Sequence, residues 1–98
     1  MFKVTPIYPR RAQERGIQGY SIVAFTITET GTVEDVVPLE GFCGDPTDPA
    51  TEYRKCSIFN SAASRAALKL KYKPKIVDGN AVKVYDVPHK FTFILEDL

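Results

Sequence analysis

Two cysteines, a single histidine and a short series of alternating lysines are the features of this chain whose types and spacing lend themselves to chemistry. Cys43 and Cys56 enclose twelve residues. In an oxidising compartment such a pair can close a bridge worth roughly 3 kcal/mol on loop-entropy grounds. A redox pair usually has its cysteines two apart at a helix start, with a depressed thiol pKa. The spacing therefore favours a structural bridge over a thiol oxidoreductase, and two free thiols remain the open alternative. Zinc lacks ligands, because only His89 is left to join two thiols. Beside Pro88 at a strand entrance, His89 reads as a surface residue, and no nucleophile, base and orienting group can be assembled around it. Glu34, Asp35, Asp45, Asp48 and Glu52 fall on hairpin or loop, where solvated charge is the default. The chain reads as a binding domain with no catalytic residues, no metal and no cofactor.

Lys69, Lys71, Lys73 and Lys75 alternate around Tyr72 in a pattern that phosphate binding would use, but complementing a helix dipole and keeping the chain soluble explain them more simply. Thirteen basic and twelve acidic residues give a net charge of +1, so no overall field draws the chain to nucleic acid or to an anionic membrane. RNA stacking on Phe91 and Phe93 would require a salt dependence that this charge does not favour. No run of eighteen apolar residues is present.

These groups must be positioned by few elements. At 98 residues the chain has room for one domain, 1–98, with a folded core at about 6–95. Pro9 and Gly16 punctuate a helix of about two turns. From Gly19 the period changes to two, placing Ser21, Val23, Phe25 and Ile27 on one face of a strand that is apolar on both. Glu29-Thr30-Gly31 turns the chain into a second strand, Val33, Asp35, Val37 and Leu39, which antiparallel pairing sets beside the first. Residues 41–56 read as a polar excursion. Ser57 is a candidate N-cap for the main helix, which carries Phe59, Ala62, Ala63, Ala66 and Leu70 and stops before Pro74, with the lysines at its end. Asp78-Gly79-Asn80 marks a turn, and Lys90 to Glu96 forms the last strand. The expected fold is α+β, with two helices on one face of a three-stranded antiparallel sheet of order 2-1-3. Its core gathers Val23, Phe25, Ile27, Val37, Phe59, Ala66, Leu70, Phe91, Phe93 and Leu95.

Tyr8-Pro9, Ala12, Gly16-Ile17-Gln18-Gly19, Phe25, Gly31-Thr32-Val33, Phe59 with Ala62-Ala63-Leu68, Tyr72-Lys73-Pro74 and Phe91-Thr92-Phe93 come in an order that resembles the C-terminal domain of TonB energy transducers. The resemblance covers about Pro6 to Leu95. It implies a periplasmic domain of a Gram-negative cell, with Met1 an artificial start and the inner-membrane helix and Pro-rich linker upstream. It implies as partners the TonB box of outer-membrane receptors for siderophores, haem or vitamin B12, and ExbB and ExbD through the absent region. A related envelope module not dedicated to iron uptake is the alternative. An oxidising periplasm makes a Cys43–Cys56 disulfide the expectation. Thr5-Pro6 stands where the best-known members have Gln-Pro, which leaves the receptor open and marks Thr5, Pro6 and Tyr8 as an additional contact, although Tyr8 and Tyr72 read first as core.

The receptor site is expected on the last strand. Pro38 cannot donate to a ladder, so strand two lies at one edge; strand one, apolar on both faces, lies in the middle; Lys90, Phe91, Thr92, Phe93, Ile94, Leu95 and Glu96 then form the other edge, unprotected by proline. An added peptide strand, or the last strand of a second copy in a homodimer, would pair there.

Overall fold

The computed structural model describes residues 4–95. Its elements are α1 (Arg10–Glu14), β1 (Gly19–Ile27), β2 (Val33–Cys43), β3 (Arg54–Lys55), α2 (Asn60–Ala67), β4 (Lys75–Val77), β5 (Asn80–Val82) and β6 (Val84–Phe93). The main sheet has four strands in the order β3-β2-β1-β6, and β4 and β5 pair as a separate hairpin. The fold is α+β with two helices and an antiparallel sheet. The expected three strands become four because β3 returns along the end of β2, pairing Phe42 with Lys55 and Cys43 with Arg54. The ends of the 41–56 excursion are thus strand, and the Cys43–Cys56 disulfide ties them together. Within it, Asp45 accepts from the Thr47 amide at 2.9 Å and hydroxyl at 2.6 Å, which holds its carboxyl below the usual range.

β1 is central and buried throughout its second half. Its inward residues Val23, Phe25 and Ile27 cluster with Phe59, Ala63, Ala66 and Leu70 from α2 and the residues flanking it, and the inward Ser21 hydroxyl donates to Asn60 Oδ1 at 2.9 Å. Phe59 stacks on Phe93 with centroids 4.4 Å apart, and Tyr8 stands edge-on to both rings at 5.8 and 5.7 Å. Burial raises the Tyr8 phenol pKa, and its hydroxyl donates to the Ile17 carbonyl, so Tyr8 is core, as its pairing with Pro9 suggested. Tyr72 also packs against the core, on Phe25 at 6.0 Å.

Val37 is a correction: it is 52 % exposed, and Val36 packs on the core instead. Asp35 takes φ 54° at a bulge between the pairs Ala24↔Val37 and Thr26↔Glu34. The extra residue shifts the alternation by one as far as Pro38, and a second irregularity, between the pairs Ile22↔Glu40 and Val23↔Pro38, restores it, so that Gly41 and Cys43 are buried as Val33 is. A matching bulge with Asp86 at φ 55° lies on β6, opposite the same stretch of β1. Asp tolerates this left-handed conformation better than most side chains.

The main helix also begins later than expected. Phe59, not Ser57, is its N-cap and offers no side-chain bond, while the Asn60 amide donates to the Ser57 carbonyl. Because the helix closes at Ala67, Lys71 and Lys73 lie beyond it, and Arg65 is the cation in its last turn. Gly31 joins two of the sequence motifs. At φ 85° it accepts from the Tyr72 amide at 2.9 Å, and any Cβ there would strike the Tyr72 carbonyl. We expect Phe25→Ala and Phe59→Ala each to cost about 3–5 kcal/mol in chemical denaturation; a loss under about 1 kcal/mol would contradict their central packing.

Candidate functional site: the free edge of the sheet

β6 ends the sheet, with β1 on one side and no strand on the other among the described residues. It is longer than expected and differently bounded. It starts at Val84, contains Pro88 and stops at Phe93, so Ile94 and Leu95 follow the strand and Glu96 lies outside the described residues. The edge is therefore not free of proline.

Two prolines identify which backbone groups face outward. Along a strand, successive residues direct N–H and C=O alternately to the two neighbours. The Gln18 carbonyl accepts from the Gly44 amide on the β2 side at 2.9 Å, so even-numbered β1 residues address β2 and odd-numbered ones β6. Pro38 is opposite Val23, and Pro88 is opposite Ala24. Both prolines consequently turn their missing donors away from β1, and neither costs a ladder bond. The Gly41 carbonyl, opposite Ser21 and so also outward, receives the Cys56 amide at 3.0 Å, as this phase requires. On β6, His89, Phe91 and Phe93 bond inward. Lys90 and Thr92 each present an amide and a carbonyl outward, and Pro88 presents a carbonyl alone.

The side chains follow the other alternation. Phe91 and Phe93 are 4 % and 2 % exposed and unavailable as stacking platforms, whereas Lys90, Thr92 and Ile94 are open to solvent. Lys90 lies over the Tyr20 ring, its Nζ 4.3 Å from the centroid, on the sheet face that carries no helix. His89 sits on the core side, 4.5 Å from Phe91 and 6.5 Å from Phe25, half-buried rather than on the surface as expected. Removal from water lowers its pKa. At the strand end, the Leu95 amide donates to Gln18 Oε1 at 2.7 Å. The carbonyl that would extend the ladder there, on Ile17, is taken by Tyr8. Gln18 thus terminates the pairing, a role that no sequence pattern advertised.

The candidate residues do not form one patch. Tyr8 reaches the β6 terminus through Phe93, whereas Thr5 and Pro6 lie beside α2, in a groove with Ser61 and Arg65. Cys43 and Cys56 are both bonded, and Cys43 is buried. No group of three or more potential metal ligands exists among the described residues, and no helix among them is long and apolar enough to cross a membrane.

Comparison with known proteins agrees with this architecture. The family described as Gram-negative bacterial TonB protein C-terminal matches residues 4–41. Protein TonB of Pseudomonas aeruginosa is 32 % identical over 77 residues, 79 % of this chain and 19 % of that protein, so the chain spans about a fifth of that relative's length. The solution NMR structure of the P. aeruginosa TonB C-terminal domain matches with a TM-score of 0.69 at 30 % identity, covering 100 % of this chain and 86 % of that one. The TonB2 protein of Vibrio anguillarum matches with a TM-score of 0.62 at 30 % identity, covering 99 % and 80 %.

A pH effect follows from His89. Its folded pKa lies below the unfolded value near 6.5, so the unfolded chain takes up the proton first and stability falls as pH drops through that value. We expect the melting temperature of His89→Gln to change less than that of the parent between about pH 7.5 and about pH 5.5. Identical pH profiles would remove His89 as the cause.

Proposed function

Because this chain belongs to the family of Gram-negative TonB C-terminal domains, non-enzymatic binding and transducing domains, we propose that it captures the TonB box of an outer-membrane receptor as an added strand on β6. The observation that carries this reading is the outward-facing amide and carbonyl pair on Lys90 and again on Thr92, at a sheet edge with no neighbour among the described residues.

Under this reading residues 1–98 act as one domain in the periplasm, held to the inner membrane by upstream sequence and driven through ExbB and ExbD. Its cargo systems are receptors for siderophores, haem or vitamin B12. The site runs over Lys90, Phe91, Thr92, Phe93, Ile94, Leu95 and Glu96, with affinity supplied by the main chain, since Phe91 and Phe93 are committed to the core. Thr5 and Pro6 provide an additional contact; Tyr8 supports it from within, its ring packed and its hydroxyl engaged. A homodimer formed by pairing β6 with β6 would use the same groups and so compete with the receptor.

About four ladder bonds at a net 0.5–1.5 kcal/mol each supply about 2–6 kcal/mol before the cost of ordering the peptide, far below the roughly 12 kcal/mol of a nanomolar complex, so the main chain alone gives binding weak enough to release after each cycle. Thr92→Pro removes an outward donor without touching the β1 ladder. We expect it to remain folded and lose a TonB-box peptide in an amide-shift titration, while Thr92→Ala weakens binding only modestly. A folded Thr92→Pro variant that binds like the parent would refute strand addition.

A further inference from the structure

A second surface lies on the helical side of the molecule; Thr5, Pro6 and Tyr8, named above as an additional receptor contact, line it, but its exposed apolar walls and charged rim are used neither by that contact nor by the β6 edge. The extended segment Thr5–Pro9 runs beside α2 and leaves a groove of about 800 Å³ between them. That volume suits a few apolar side chains. Its floor is Tyr8, Ile58, Ala62 and Ala66, all at least partly buried against the core. Its walls are not: Ile7 is 76 % exposed and Leu68 53 %. Ile7 is the most exposed large apolar residue among those described.

The rim is charged with one sign. Arg10, Arg65 and Lys69 line the groove, and among the described residues no Asp or Glu does. None of the three is in a salt bridge among the described residues, where the one such pair is Lys83 with Glu34 at 2.7 Å. The Arg65 guanidinium donates to the Ser61 hydroxyl at 2.6 Å, one turn earlier on the same helix face, and is therefore partly preorganised. In a chain with nearly balanced charge, three unpaired cations around an apolar trough are a local excess. We propose that this groove binds an acidic amphipathic segment of a partner protein, its apolar side chains between Ile7 and Leu68 and its carboxylates on Arg10, Arg65 and Lys69. Charge complementarity selects an acidic partner, and the concave shape selects a peptide segment over a flat anionic surface.

A helical peptide of about fourteen residues, with Leu at i, i+3, i+4 and i+7 spacing and Glu elsewhere, provides the probe, and the same peptide with Lys for Glu provides its control. Titrated into the isotope-labelled domain, the Glu peptide should move the amides of Ile7, Arg10 and Ser61 through Lys69 and leave Lys90 and Thr92 unmoved. The Lys peptide should move neither set of amides. Combining Arg65→Glu with Lys69→Glu, both exposed positions, should weaken the Glu peptide about tenfold and favour the Lys peptide. Response of β6 to a TonB-box peptide should survive in that variant, which separates this proposal from the receptor-edge reading. The proposal is overturned if the Glu peptide causes no shifts, if its shifts fall on β6, if both peptides bind equally, or if the groove amides move with protein concentration alone, which would make a second copy the occupant.

Discussion

The direction in which β1 points its backbone groups governs the rest of this domain. As the central strand it must satisfy two neighbours, and alternation lets it do so only if even-numbered residues serve β2 and odd-numbered ones serve β6. Pro38 opposite Val23 and Pro88 opposite Ala24 fit this phase from opposite sides. A shift of one residue in either neighbour would bring a proline with no donor against β1, and in β6 it would also carry Phe91 and Phe93 to the solvent face. Core packing and the identity of the exposed amides are therefore set together.

The same edge carries its own restraints. Pro88 removes one outward donor, the Asp86 bulge twists the start of the strand, and Lys90 is held over Tyr20. Such devices keep an open edge from pairing indiscriminately. What remains within β6 is a short window at Lys90 and Thr92, and just beyond it Gln18 takes the Leu95 amide and ends the pairing with β1. A window of this length favours a peptide over a long strand from another sheet. The family motifs serve this geometry at a distance: Tyr8 caps the Ile17 carbonyl and fixes the Phe59–Phe93 stack, and Gly31 clasps Tyr72 at the opposite end of the core.

Much of this was legible from residue order. The two-residue period of β1 identified its buried face, Pro9 and Gly16 bracketed α1, and Pro38 placed β2 outside β1. Where alternation was interrupted, legibility ended. Asp35 gives no local sign that it will adopt a left-handed conformation, so Val37 was assigned to the core in place of Val36. Pro88 looked like a strand boundary because its tolerance depends on the phase set by β1, a tertiary fact. β3, two residues long, has no periodicity to detect. The candidate strand was recognisable from Phe91 and Phe93, whereas Gln18 and the groove beside α2 depend on side chains far apart in the chain. A near-neutral net charge also concealed the local excess formed by Arg10, Arg65 and Lys69.

Backbone amide hydrogen exchange tests the account most directly, since it reads the direction of each β6 amide. In the free monomeric domain, His89, Phe91 and Phe93 should be protected while Lys90 and Thr92 exchange rapidly; adding a TonB-box peptide should slow Lys90 and Thr92 and leave the other three unchanged. Protection of Lys90 and Thr92 in the free monomer, or their continued rapid exchange in a saturated complex, would contradict the account.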